Sequence, residues 1–160
     1  MTGITGDIPM TPLFKKLNLK NQRSIVVLNA PESFEPELRA LGGVGVNREA
    51  GKGTSLDFGM AFVVTQKQLD EASVALAAAA DGDAILWIAY PKNTSKRYKC
   101  EFNRDGGWSV LGQAGFEAVR QVAIDEDWSA LRFRRVDFIK SLTRAPERAV
   151  TPAGKLRTVK

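Results

Sequence analysis

The chain predicts a single-domain, Rossmann-like three-layer α/β sandwich, with a mainly parallel sheet and an antiparallel or edge strand near its C-terminus. Three observations carry this. Short apolar runs rich in β-branched residues suit strands buried on both faces. They alternate with amphipathic stretches at helical spacing, the pattern of a helix-covered parallel sheet. One late segment instead alternates apolar with basic residues. At 160 residues and 44% hydrophobic content the chain is the length of one ordinary domain and not a disordered polymer. The expected division is a flexible N-terminus over 1–11, one α/β domain over 12–143 and a basic, disordered tail over 144–160.

The elements follow in order. Pro12 ahead of Leu13, Phe14 and Leu17 reads as a short amphipathic helix with proline near its first position. Ser24–Asn29 is the first buried strand. Ser33 reads as an N-cap for a two-turn helix carrying Phe34, Leu38 and Leu41 on one face, with Gly42 as its stop. Gly42–Ser55 holds five glycines and no periodicity, a long loop with room for a short strand at Val44–Val46. Leu56–Val64 is the second buried strand.

Thr65 then caps a helix, and Gln68 three residues on completes a capping box. Leu69, Ala72, Leu76 and Ala80 form its apolar stripe, and Gly82 ends it. Ala84–Tyr90 is the third buried strand, stopped by Pro91. Over Lys92–Asn103, Tyr98, Cys100 and Phe102 alternate like a strand where a loop or helix is expected. Asp105–Gly112 is a weak helix start, diluted by Gly106, Gly107 and Gly112. Val119–Ile124 is a strand. Over Ala130–Val136, Leu131 and Phe133 alternate with Arg132 and Arg134, one face buried and the other wet.

Composition excludes several chemistries. Histidine is absent, which removes Ser-His-Asp and Cys-His catalysis and His-ligated metals. The single Cys100 excludes an intrachain disulfide and a cysteine-cluster zinc site. The net charge of +5 sits at one end: residues 140–160 hold six bases and one acid, so the 17 bases and 17 acids of residues 1–139 cancel. That tail offers weak nucleic-acid contact, although its Pro146, Pro152 and Gly154 and its lack of aromatics fit a solvated end. No stretch reads as a signal peptide or a membrane span, so the expected location is cytoplasmic.

Phosphate-binding motifs fail on spacing. Gly51-Lys52 would need a glycine where Val46 stands, and Asn29-Ala30-Pro31-Glu32 replaces any G-x-G-x-x-G after the first strand. No cofactor and no metal site is predicted. Lys96, Arg97 and Lys99 around Cys100 could lower its thiol pKa, though an ordinary strand cysteine is the simpler reading.

One constellation remains. In an open α/β sheet ligands bind beyond the carboxyl ends of the strands. Asn29 and Glu32 follow the first strand, Tyr90 and Lys92 the third, and Asp125, Glu126, Asp127 and Trp128 the fourth. Together they would place a lysine, carboxylates and two aromatics on one edge, suited to an anion, to Mg²⁺ or to acid–base work. Without a complete catalytic set, the leading expectation is a non-catalytic binding or regulatory module. The alternatives are an enzyme using Lys92 and the Asp125–Asp127 carboxylates, or nucleic-acid association through the tail. The expected partners are a small ligand or a protein, with self-association left open and no membrane.

Four stretches, Lys16–Lys20, Val27–Glu32, Trp87–Lys92 and Ala123–Phe133, resemble the bacterial domain-of-unknown-function family 3052, whose most specific motif is an Ile-Asp-Glu-x-Trp-Ser signature. The resemblance spans about Pro12 to Arg135. It implies a small cytosolic Rossmann-like domain and directs attention to Lys92, Asp125, Glu126 and Trp128, without supplying a substrate. Asn18 stands where the family has glycine, Tyr90 where tryptophan is usual, and the Gly42–Ser55 loop is longer.

Overall fold

A computed structural model describes residues 11–20, 22–51, 53–102 and 107–139. Its strands are β1 (Ser24–Leu28), β2 (Gly45–Asn47), β3 (Leu56–Phe62), β4 (Ala80–Pro91), β5 (Phe116–Ala123) and β6 (Trp128–Arg135). The helices are α1 (Pro12–Lys16), α2 (Glu35–Arg39), α3 (Gln66–Ala79) and α4 (Ser109–Gln113). One sheet runs β2-β1-β3-β4-β6-β5. The first four strands are parallel; β6 is antiparallel to both β4 and β5, which leaves β5 parallel to β4. The chain winds to one side of β1 for β2 and to the other for β3, so the strand order switches at β1.

The strands are apolar because both faces are covered. Val26, Ala61, Leu86, Ile88, Tyr90, Leu131 and Phe133 lie in the core layer with α3 and α4. Ile25, Val27, Phe58, Met60, Phe62, Trp87, Trp128 and Ala130 lie in the opposite layer with α1 and α2. Gly59 lets α3 sit close, since a Cβ there would come within 2.9 Å of Leu76 Cδ2. Trp87 is fully buried, and its Nε1 donates to the Leu17 carbonyl at 2.8 Å, tying the end of α1 to the sheet. That helix ends in a Schellman motif: Leu19 N–H donates to the Phe14 carbonyl, Asn18 N–H donates to that of Lys15, and Asn18 sits at φ 67°.

The predicted capping box of α3 is present. Thr65 Oγ1 accepts from Gln68 N–H, and Gln68 Oε1 accepts from Thr65 and Val64 N–H. Several local expectations change. The helix α3 ends at Ala79, so Ala80 and Gly82 lie in β4 and not on the helix or at its stop. Ser33 does not cap a two-turn helix; it lies inside a 3₁₀ turn over Glu32–Phe34 that leads into the short α2, although Phe34, Leu38 and Leu41 are buried as the spacing required. The alternating stretch after Pro91 is a chain of turns across the sheet edge, with Glu101 N–H donating to the Val64 carbonyl. The late alternating strand is antiparallel, the first of the two arrangements expected, and it is interior and not an edge, hydrogen-bonded on both sides.

Two of its three arginines find partners there, while the Arg132 Nε is buried without one. Arg134 forks onto Asp83 at 2.8 and 2.7 Å, and the Arg135 guanidinium donates to the Gly82 and Ala80 carbonyls. Arg132 is half-buried, and burial pulls its guanidinium below the ordinary value. Among the described residues no helix is long and apolar enough to cross a membrane. Most of the predicted flexible N-terminus (residues 1–10), Asp105 and the whole basic tail lie outside the described residues.

Candidate functional site

The carboxyl ends of β1 to β4 form one edge, and it divides into two parts. At the switch point, β1 ends in Asn29, an exposed residue at φ 59°, a left-handed conformation in which asparagine is among the least strained non-glycine residues. Behind it opens a groove of about 260 Å³ bounded by Leu28, Asn29, the end of β2 at Arg48–Ala50, and the Gln68, Glu71 and Ala72 face of α3. Arg48 is already engaged, forked onto Glu35 with both contacts at 2.7 Å. The Arg48 hydrogen bond holds the Glu35 carboxyl below its usual value. Glu49 and Glu71 are the exposed charges left in this groove, so its free charge is negative.

The second part lies past β4. The Lys92 backbone N–H donates to the Asp127 carbonyl at 2.8 Å, which docks the loop after Pro91 onto the β5–β6 turn. Asp127 accepts from Ser95 Oγ at 2.9 Å and faces Arg97 at 3.8 Å. Asp125 Oδ1 accepts from the Asp127 and Trp128 N–H groups, closing the turn as an Asx motif. A groove of about 490 Å³ runs along Lys92–Cys100, with Lys92, Lys96, Arg97 and Lys99 on its walls.

Lys92, Asp127 and Trp128 are therefore neighbours, as the strand-end argument required. The convergence is otherwise incomplete. With strands about 4.8 Å apart, Asn29 and Glu32 at β1 are about 10 Å from β4 and farther from the β5–β6 turn. They border the switch point instead. Tyr90 and Trp128 occupy opposite faces: Tyr90 packs on Trp108 and accepts at its hydroxyl from Gln121, whereas Trp128 meets Phe62 and Tyr98 edge-on or tilted at 5.1 and 4.9 Å. Both are buried core residues, so they offer no shared aromatic clamp.

The acids also serve structure. Asp125 and Asp127 spend oxygens on the turn and loop, and Glu126 is exposed on it. No group of three His, Cys, Asp or Glu side chains is placed to hold a metal among the described residues. Cys100 is not activated: burial pushes its thiol up, despite the nearby lysines. Sequence reasoning missed Arg48, Glu49, Gln68 and Glu71. A signal for Glu49 existed, because it follows β2 and stands 20 residues beyond Asn29, the spacing at which an acid meets a ribose in the dinucleotide-binding unit.

The fold is shared with solved methyltransferases. The chain aligns with a SAM-dependent methyltransferase from Aquifex aeolicus at a TM-score of 0.52 and 13% identity, covering 78% of this chain and 88% of that one. It aligns with magnesium protoporphyrin IX methyltransferase from Synechocystis PCC 6803, solved with bound SAH, at 0.50 and 13% identity, covering 77% and 78%. At these identities the likeness establishes the fold, a Rossmann-like α/β sheet. No protein-family model and no curated protein matches the chain. The neighbours correct the leading expectation: both of these solved structures are methyltransferases, so a non-catalytic binding or regulatory module is withdrawn.

Proposed function

We propose that the chain is a methyltransferase-class enzyme that holds S-adenosylmethionine in the switch-point groove. The observation that carries this reading is the charge of the groove at the place where open α/β sheets bind ligands. With Arg48 committed to Glu35, the free side chains are Glu49 and Glu71. An acid-lined groove disfavours a pyrophosphate and favours a ligand of net positive charge, as a sulfonium nucleoside is.

The residues present fit such a group. Glu49 follows β2, where a carboxylate can accept from a ribose diol, and Leu28, Ala50 and Ala72 supply apolar wall. The left-handed Asn29 makes the sharp exit from β1 that a glycine would otherwise make. At about 260 Å³ the groove is somewhat smaller than ordinary ligand clefts, so only part of the cofactor would enter it and the remainder would lie over the open edge. When bound, the cofactor supplies an electrophilic methyl group on a cationic sulfur. Methyl transfer depends chiefly on positioning the acceptor, which suits a chain without histidine.

Membership of family 3052 belongs to this reading, supported by Asn18, which holds the family's glycine position in the left-handed conformation glycine adopts freely. So does a cytoplasmic location, supported by the absence of a membrane-crossing helix among the described residues. Calorimetric titration with S-adenosylmethionine, S-adenosylhomocysteine and ATP tests the proposal. Binding of the two sulfur nucleosides without ATP is the expected result. A folded protein that ignores both at millimolar concentration, or that takes ATP equally well, would overturn it.

A further inference from the structure

We infer that the groove along Lys92–Cys100 is a binding site for a phosphomonoester, a small dianion. Four cations, Lys92, Lys96, Arg97 and Lys99, fall within eight consecutive residues that contain no acid. They line one concavity of about 490 Å³, the volume of an ordinary small-molecule cleft. Arg97 faces Asp127 at 3.8 Å, whereas Lys92, Lys96 and Lys99 form no ion pair among the described residues. The loop that carries them is held at three points. Lys92 N–H is bonded to the Asp127 carbonyl, Ser95 Oγ donates to Asp127 while accepting from Arg97 and Tyr98 N–H, and Glu101 N–H reaches the Val64 carbonyl. Like charges are thus kept together by backbone anchoring, an arrangement that an anion would relieve.

The make-up of the groove selects the anion. Three lysines supply compact point charges, which favour a doubly charged phosphomonoester over a singly charged anion, and the one arginine here faces Asp127. The surroundings limit its size. Glu101 on one side and Asp125 and Glu126 on the other are exposed acids. They would repel a phosphodiester backbone running beyond the groove. Tyr98, the one aromatic on its wall, is half-buried and packed on Trp128, so it is not free to stack a base.

The loop also reaches the junction of β3 and α3, where Glu101 Oε1 accepts from Gln66 N–H at 2.9 Å. Gln68, two residues on, borders the switch-point groove. The two grooves therefore flank one junction. As the anchor of a methyl acceptor the anion site rests on the methyltransferase reading; as an anion site it stands without it.

The test is a calorimetric titration, at low salt and without nucleoside, of phenyl phosphate, dimethyl phosphate and a 12-mer single-stranded oligonucleotide. Phenyl phosphate should bind at least about fivefold more tightly than the singly charged diester. Lys92→Ala/Lys99→Ala should weaken it about tenfold with an unchanged melting temperature, while the exposed Lys67→Ala on α3 leaves it unaltered. No phenyl phosphate binding, equal binding by the double variant, or preferential oligonucleotide binding with a steep salt dependence would each overturn the inference. Phenyl phosphate binding by a protein that ignores S-adenosylhomocysteine would keep this site and remove the methyltransferase reading.

Discussion

The two halves of the strand-end edge are built from the same sheet and carry opposite charge. At the switch point, α2 turns Glu35 onto Arg48 and leaves Glu49 and Glu71 as the groove's free charges. Past β4, the acids Asp125 and Asp127 are absorbed by the turn and the loop, and Lys92, Lys96 and Lys99 remain. In both places one arginine is tied up by a carboxylate, Arg48 by Glu35 and Arg97 by Asp127, and the charges left on the groove walls differ in sign. An edge divided in this way suits a cationic methyl donor beside an anionic acceptor, and net composition would not reveal it, because residues 1–139 are neutral overall.

Removing a core anchor of the sheet that carries both halves should have the largest effect. Trp87 is fully buried and anchors Leu17, so Trp87→Ala should cost about 3–5 kcal/mol in urea unfolding and abolish both grooves together. A variant that stayed folded and lost one groove only would show the halves to be supported separately. Next, Glu49→Ala should weaken S-adenosylhomocysteine binding about tenfold and leave phenyl phosphate affinity intact, because the removed acceptor serves one groove. Equal loss at both sites would break the division.

Thr65→Ala deletes half of the capping box of α3, the helix that walls the switch point and receives Glu101 from the loop. It should cost about 1 kcal/mol and loosen both sites slightly. The smallest effect is expected at Glu35. Its folded value is lowered by Arg48, so the pair stabilises the native state above the unfolded value near 4.5, and that advantage disappears as pH falls through the lower folded value. Thermal melts of Glu35→Gln and wild type should differ slightly at neutral pH and converge at acid pH. A difference that grew on acidification would contradict the assignment.

Much of the fold was legible because its signals are local. The β-branched runs of β1 and β3, the Leu69, Ala72 and Leu76 stripe and the Thr65–Gln68 capping box each report on a few neighbouring residues. The antiparallel direction of β6 was among the arrangements read from the sequence, but its interior place was not legible. Arginines at 132 and 134 look like a wet face, and only the sheet shows that Asp83 and the 80–82 carbonyls receive Arg134 and Arg135.

The site was legible in part for the same reason. Strand ends can be ranked along an edge from the sequence, which brought Lys92 to Asp127 correctly. Which face a side chain takes depends on register. Tyr90 pairs with Ser129 and Pro91 with Trp128, so the two aromatics are one position out of phase and fall on opposite faces. Glu49 was hidden by a loop whose three-residue strand lacks a clear period.

The most direct test of the charge-divided edge is ¹H–¹⁵N NMR of the labelled protein titrated with S-adenosylmethionine and then with phenyl phosphate. The nucleoside should shift the amides of Leu28–Asn29, Glu49–Ala50 and Gln68–Ala72, and the phosphate those of Lys92–Cys100. Nucleoside shifts centred on the lysine loop, or a single set of residues answering to both ligands, would contradict that division.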